Sequence, residues 1–494
     1  MDIILGLDVG TTEVKAMTWD KNYQCHSTAS RKVHLVTPQT GWVEQDAKEL
    51  WVAVIDVCSQ AVRETQANNH QILALSLSTQ GGTTIPVDRM NEPTHFAFSW
   101  MDERFTKEAS DVMDHYGSEE IYQTTGWPLT AGLPINQIAW FRQNRPDAFQ
   151  RTDRFLFVND YIVYQLGHAL AMDPSNAGIT QLFNIAQADW DETLIRIAGI
   201  RKDQLSPIFP SGALVAHITP AAACLTGLAP GTPIYNGAHD QYCAAVGAGV
   251  VEPGDVLLSC GTAWVLLFVL DRPNQGFERG LAVSLHPIDG VFGGILDNGG
   301  VGSTMEWLID HLWDEKTDHD SRFALLEQAV MHSTPGANGL VFVPLSGGYH
   351  RPDELLNRGP IGLSLIHSRA DIARAAMEGI AFELDLMLAN VVGKIPIHRL
   401  IMIGGASRNP HWPQMIADIT GVPIGVPLVK GAASLGAAIL AGKSLGWYSE
   451  ENPAISNHQK DRKEFLPDRD VQQTYRQVKA RYRQLRRTSP LTSP

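Results

Sequence analysis

Two short segments, half a chain apart, constrain this sequence more than any other feature. They are Leu5-Gly6-Leu7-Asp8-Val9-Gly10-Thr11-Thr12 and Val256-Leu257-Leu258-Ser259-Cys260-Gly261-Thr262. Each carries an apolar run into a Gly-Thr turn. A run this short, bounded by glycine, reads as a buried strand, and the turn after it can face backbone N–H groups toward an oxyanion. One such turn is ordinary hairpin chemistry. Two, one in each half of a 494-residue chain, point to a duplicated phosphate loop.

Strand-like and helix-like runs alternate around both segments. Ile3–Leu7 is followed by a helical pattern from about Glu49 to Ala61 and then by Ile72–Leu77; after Pro253 come Val256–Ser259, Val341–Pro344 and Leu400–Ile403. This alternation predicts an α/β architecture. Glycines 247 and 249 and Glu252-Pro253-Gly254 interrupt it, which predicts two domains, 1–248 and 249–494, packed without a long linker. Near the end, Val471, Tyr475, Val478, Tyr482 and Leu485 form one apolar stripe of a helix whose basic face is expected in solvent, with Thr488–Pro494 frayed.

Charge and cysteine usage narrow the partners. A net charge of −14 repels a nucleic-acid backbone, whereas an ATP site, to which Mg²⁺ brings its own positive charge, remains compatible. The five cysteines form no CxxC pair, which argues against a zinc knuckle or a disulfide framework and for a reducing cytosol. The chain starts without a signal-peptide pattern, and no apolar run reaches the roughly 18 residues of a membrane span. A cytoplasmic protein is expected.

Candidate chemistry lies at the strand ends. Asp8, ahead of Gly10-Thr11-Thr12, offers a carboxylate to hydrated magnesium, and Lys15 could add positive charge; the alternative is a capped turn with Lys15 in solvent. In Asn236-Gly237-Ala238-His239-Asp240-Gln241, a carboxylate projected from a glycine-containing turn can accept a hydroxyl proton. His239 could instead be the base or a ligand, although a lone histidine is more often structural. Gly404-Gly405, directly after a strand, lets a ring or phosphate approach the backbone. Gly442-Lys443-Ser444 resembles the end of a Walker A loop, but Ala437 stands where its first glycine should, so it reads as a decoy; no GxGxxG follows a predicted strand.

Taken in order, these motifs resemble the FGGY carbohydrate kinases, the family of glycerol kinase, xylulokinase and ribulokinase, within the larger group that shares the actin and hexokinase ATPase fold. The resemblance runs from Ile4 to about Gly442. It rests also on Gly41-Trp42-Val43-Glu44-Gln45-Asp46, similar to the family's GWxEQDP segment; on Trp100-Met101-Asp102-Glu103-Arg104, similar to WxDxR; on Asp160-Tyr161 and Asp173-Pro174-Ser175-Asn176; and on Ala433–Ala438, similar to the closing ALGAA helix.

The resemblance implies a two-domain actin-like (ribonuclease H-like) ATPase fold of the sugar kinase type, with the active site in the interdomain cleft. It further implies ATP-dependent phosphorylation of a hydroxyl of a small ketose or polyol, with Asp240 as general base, Asp8 serving Mg²⁺, and Thr11, Thr12, Lys15, Gly261 and Thr262 around the phosphates. Gly302, Glu306, Gly404, Gly405 and Asn409 fall on its nucleotide side, and Gln80, Gly81, Gly82, Trp100, Asp102, Asp240 and Gln241 on its sugar side. ATP and Mg²⁺ are the implied cofactors; a homodimer is compatible, and neither nucleic acid nor membrane is expected. Two departures concern substrate: Gln137 replaces the lysine of the PxxKxxW pattern, and Gly81-Gly82 replaces the Met-His of the xylulokinase GQMHG loop. The second predicts a sugar pocket stripped of side chains. A non-catalytic nucleotide-gated protein and another ATPase of the same fold are the alternatives.

Overall fold

The computed structural model describes residues 1–273, 280–312, 319–349, 355–391, 395–447 and 462–487. The expected fraying of Thr488–Pro494 lies outside them. The chain forms two compact units, one of Met1–Val251, Val269–Gly294 and Val429–Lys460, the other of Glu252–Phe268, Ile295–Leu428 and Asp461–Pro494.

The first unit is built on a six-stranded sheet. Its strands are β1 (Asp2–Val9), β2 (Glu13–Trp19), β3 (Cys25–Lys32), β4 (Gln71–Thr79), β5 (Leu214–His217) and β6 (Pro233–His239), in the order β5-β6-β4-β1-β2-β3. β1, β4 and β6 are parallel, which requires crossovers between them. The helix Ala47–Ala67, capped by Asp46, makes the first. β1 is apolar on both sides because both are covered. Leu5, Leu7 and Val9 pack with Ala53, Val54 and Val57 of that helix, while Ile4 packs on the opposite side with Val246, Leu435 and Ala438.

That opposite side is covered by the helices Asp240–Gly247 and Ala432–Ser444, which cross at small residues. A Cβ on Gly6 would collide with the Ser434 backbone, one on Gly247 with the Ala432 carbonyl, and one on Gly436 with the Cys243 carbonyl. The small residues of the closing helix therefore buy the close approach to β1 that larger side chains would forbid. The Gly442-Lys443-Ser444 tripeptide lies in the last turn of this helix, with Lys443 facing Asp289 at 3.4 Å, so no strand-to-helix phosphate loop exists there.

The second unit repeats the arrangement. β7 (Asp255–Cys260) and β8 (Trp264–Leu270) form a hairpin across Gly261-Thr262, as β1 and β2 do across Gly10-Thr11-Thr12. β9 (Arg399–Gly404) lies parallel to β7, and β10 (Ile424–Pro427) and β11 (Arg462–Phe465) follow, in the order β8-β7-β9-β10-β11. The C-terminal stripe is the helix Arg469–Leu485, with Tyr475 and Tyr482 buried. Its basic face is less solvated than expected: Lys479 reaches Asp385 at 2.7 Å and Arg486 reaches the buried Glu383 at 2.8 Å. Periodicity located the face but not the acidic helix Arg369–Val391 that receives it.

Candidate active site

Strand register assembles the first cluster. Asp8 of β1 pairs with Ser78 of β4, and Thr79 pairs with both Val9 and His239 of β6, so Asp8, Ser78 and His239 stand level at the carboxyl ends of three parallel strands. Open α/β sheets bind ligands at that edge. Ser78 Oγ donates to Asp8 at 2.8 Å. Burial, and after it the nearby Asp240 carboxylate, push Asp8 up to about 6 against the Ser78 bond and Lys15. A buried carboxylate whose charge is disfavoured by burial and by a neighbouring carboxylate makes a place where a cation is stabilising.

Asp240 is not in a turn, as the sequence pattern predicts. β6 continues through His239, and Asp240 is the first residue of the helix Asp240–Gly247. Gly237 is a strand residue; its missing Cβ lets β6 lie against the Leu77 carbonyl of β4. The Asp240 side chain keeps 31% of its surface accessible, which a proton acceptor needs. His239 beside it is buried. Its backbone N–H donates to Ser175 Oγ at 2.9 Å, and that hydroxyl donates to Asp173 at 2.5 Å. Gln241 follows with a buried side-chain oxygen that accepts no hydrogen bond from the described residues.

A second cluster ties the Gly-Thr turn to the sugar-side loops. Thr11 Oγ1 donates to Gln80 Oε1 at 3.0 Å and accepts from Trp100 Nε1 at 3.1 Å. Gln80 Nε2 donates to Gln45 Oε1 at 2.9 Å, and Gln45 Nε2 returns to the Thr11 carbonyl at 2.7 Å. Gln45 is the link that motif matching named only as part of a segment. The Thr12 carbonyl anchors Val33, and Lys15 pairs with Glu13 at 2.7 Å rather than standing free in solvent. Trp100 is 44% exposed. Asp102 is buried and holds the loop from beneath: it accepts from Val43 N–H at 2.8 Å and from Arg104 at 2.5 Å. Arg104 in turn pairs with Glu44 at 2.9 Å and lies over the Trp42 ring.

Gln137 and the paired glycines now acquire physical reasons. Gln137 is fully buried and donates to the carbonyls of Gly82 at 2.8 Å and Gly132 at 2.7 Å, so a neutral amide does the carbonyl-gathering at this position. Gly82 has φ +74°, a left-handed conformation that favours glycine. Gly81 does not leave a void. A Cβ there would stand 2.5 Å from His239 Cδ2 and 2.9 Å from Ile179 Cγ2. The expectation of a stripped pocket is corrected: the space is occupied from another strand.

The second unit contains a cavity of about 450 Å³ lined by Gly261, Thr262, Gly302, Glu306, Gly405 and Asn409, all expected from sequence. It is also lined by Trp264, Phe323, Glu327, Arg408 and Trp412, which the motifs did not single out. The Trp264 and Trp412 rings lie 5.1 Å apart, and Trp412 Nε1 is buried without a hydrogen-bond partner among the described residues. Aromatic enrichment around the Gly-Thr and Gly-Gly turns was the available signal. A Cβ on Gly302 would collide with the Gly261 carbonyl, so this glycine lets the helix Ser303–Leu312 start against the turn. Gly404, at φ +94° against Cys260, shapes the turn and is not itself a lining residue; Asn409 accepts from the N–H groups of His411 and Trp412, both at 2.9 Å.

Two sheet-based units, each with a strand–Gly-Thr–strand hairpin beside a parallel strand, define the actin-like ATPase fold in its sugar kinase form. The xylulose kinase of Lactobacillus acidophilus superposes with a TM-score of 0.87 at 23% identity, covering 98% of this chain and 97% of that one. The chain belongs to the FGGY family of carbohydrate kinases: the family's N-terminal domain matches residues 3–247 and its C-terminal domain residues 256–445. Among relatives, it is 29% identical to the gluconokinase of Bacillus subtilis over 88% of this chain and 86% of the relative. It is 28% identical to the autoinducer-2 kinase of Yersinia enterocolitica, over 97% and 93%. The protein is thus a phosphotransferase that uses ATP to phosphorylate a sugar or polyol. Among the described residues, no helix is long and apolar enough to cross a membrane.

Proposed function

We propose that the acceptor is a neutral ketose or polyol of three to seven carbons, that Asp240 is the general base, and that the donor is Mg-ATP. The observation that carries this reading is the placement of an accessible Asp240 near Asp8 at the ends of parallel strands, beside the Gln80–Trp100 loops. Asp8 and His239 neighbour Asp240, His239 also neighbours Asp173, and Glu13 pairs with Lys15 beside Asp8, a setting with more negative than positive charge and therefore suited to a neutral substrate. The unpaired cysteines and the use of ATP support a cytoplasmic setting.

In this mechanism Asp240 accepts the proton of the attacking hydroxyl, and Trp100, Gln80 and Gln241 orient the sugar. Asp102 positions rather than touches it, since its oxygens are already engaged by Arg104 and Val43. Thr11, Thr12 and Lys15 present donors from one Gly-Thr turn and Gly261 and Thr262 from the other, while Gly302, Glu306, Gly405 and Asn409 line the adenosine cavity. The strained charge of Asp8 fits a hydrated Mg²⁺, which when bound neutralises charge on the transferring phosphoryl group. An ADP-release screen over ketopentoses, ketohexoses, polyols and sugar acids tests the substrate class. A strongest signal from D-gluconate, the substrate type of the gluconokinase relative, would overturn the neutral-sugar reading.

A further inference from the structure

Gly81 and His239 share one space, a small residue in exchange for a large one. They lie far apart in sequence, yet the position a side chain at 81 would take is 2.5 Å from His239 Cδ2 and 3.0 Å from Nε2. The imidazole thus occupies the space that a sugar-loop side chain would fill. Its ring is held in place: the backbone N–H is bonded to Ser175 Oγ at 2.9 Å, the ring meets Tyr242 edge-on at 5.9 Å, and only 9% of the side chain is accessible. One polar atom is left over. Among the described residues, His239 Nδ1 is buried with no hydrogen-bond partner, 3.5 Å from the oxygen of Asp240 that it adjoins. A buried ring nitrogen without a partner costs free energy unless something supplies one.

We propose that His239 is a specificity-determining residue of the acceptor site, in which its free ring nitrogen recognises a hydroxyl or carbonyl oxygen of the bound sugar next to the one that Asp240 deprotonates. This rests on the assignment of Asp240 as the base. The imidazole at the end of β6 takes the space beside residue 81, where glycine is required to admit it. The consequence is a pair of linked positions, small at 81 and large at 239. His239 acts on which sugar binds and how it lies, and Asp240 on the proton.

The test uses the full-length enzyme with the best neutral acceptor from a panel of D-xylulose, D-ribulose, xylitol and glycerol. His239→Ala is expected to raise sugar KM about tenfold, the value of one lost hydrogen bond, with ATP KM unchanged and kcat lowered less than KM is raised. His239→Gln, which keeps a polar group near the same place, should recover part of the loss. Gly81→Ala should raise sugar KM and lower Tm by about 2 °C or more, because the methyl group displaces the ring. Combined with His239→Ala, it should cost less than it does alone, though not nothing, since Ile179 Cγ2 remains 2.9 Å from the new carbon. Unchanged sugar KM and unchanged preference among the four acceptors in His239→Ala would overturn the proposal, as would strict additivity of the two substitutions. Failure of the base assignment reads out separately: a His239→Gln collapse in kcat, with Asp240→Asn active, would make His239 the base and overturn both.

Discussion

The two Gly-Thr hairpins share a backbone plan and differ in chemistry at equivalent points. Asp8 precedes Val9-Gly10-Thr11 in the first, and Ser259 precedes Cys260-Gly261-Thr262 in the second. Around Asp8 stand Asp240, Ser78 and Lys15; around the Gly261 turn stand Trp264, Trp412, Met305 and Phe323. The first hairpin gathers charge, and the second adds aromatic surface to a lining that also carries Glu306, Glu327 and Arg408. The proposed function divides the labour accordingly: proton and metal chemistry at the first strand edge, and nucleotide capture, which draws on aromatic area, at the second.

The largest effect that tests this division is at Asp240. Asp240→Asn keeps the shape and a hydrogen bond but cannot take the proton, so turnover should fall about 10²- to 10⁴-fold with near-normal melting temperature and ATP KM. An enzyme keeping more than about a tenth of its turnover would show that the charged edge is not where the proton goes. Steady-state kinetics with the best acceptor reads this directly.

Asp8 comes next and gives a signature in two measurements. Asp8→Asn should reduce kcat by about 10²-fold or more while sugar affinity without ATP barely moves. It should also alter the pH dependence of stability in the absence of Mg²⁺. The folded value of Asp8, about 6, lies above its ordinary 3.8, so the proton is held more tightly by the folded chain. The contribution of Asp8 to stability is therefore fullest below pH 4 and is lost as pH rises through 6. Asp8→Asn removes that loss. At pH 8 it should exceed the wild type by about 3 kcal/mol in denaturant titrations, a gap that closes toward pH 4. Equal stabilities at pH 8 would remove the electrostatic argument for a cation here.

The aromatic edge is expected to respond more mildly and in a different parameter. Trp412→Ala should raise ATP KM about tenfold, leave sugar KM unchanged and lower kcat little, because it removes uniform binding of the nucleotide. Sensitivity of sugar KM instead of ATP KM would blur the comparison between the two hairpins. The smallest effect is expected at Lys443: Lys443→Ala removes only an exposed pair with Asp289 and should leave both KM values and turnover within experimental error. A large rise in ATP KM there would reinstate the Walker-like tripeptide.

Much of this was legible in residue order. The Gly-Thr turns, the strands leading into them, the α/β alternation and the acidic residues at strand ends are local patterns, written in period and in glycine placement, and they fall on β1, β4, β7 and β9. The ends of elements were less legible: Asn236-Gly237-Ala238 reads as a turn, but strand pairing against β4 draws it into β6 and places Asp240 at a helix start. The tryptophans of the second unit's cavity come from β8 and from the helix Trp412–Thr420, which no single window of sequence connects. The exchange between Gly81 and His239 was invisible for the same reason. Sequence by itself determined that this chain has two strand–Gly-Thr turns, aspartates at 8 and 240 and paired glycines at 81 and 82, because those are properties of contiguous residues. Only the tertiary structure decided what fills the space above Gly81 and which hydrogen bonds hold Thr11 to Gln80, Gln45 and Trp100. Those depend on register between strands and on packing at ångström distances, where residues more than 150 positions apart compete for one volume.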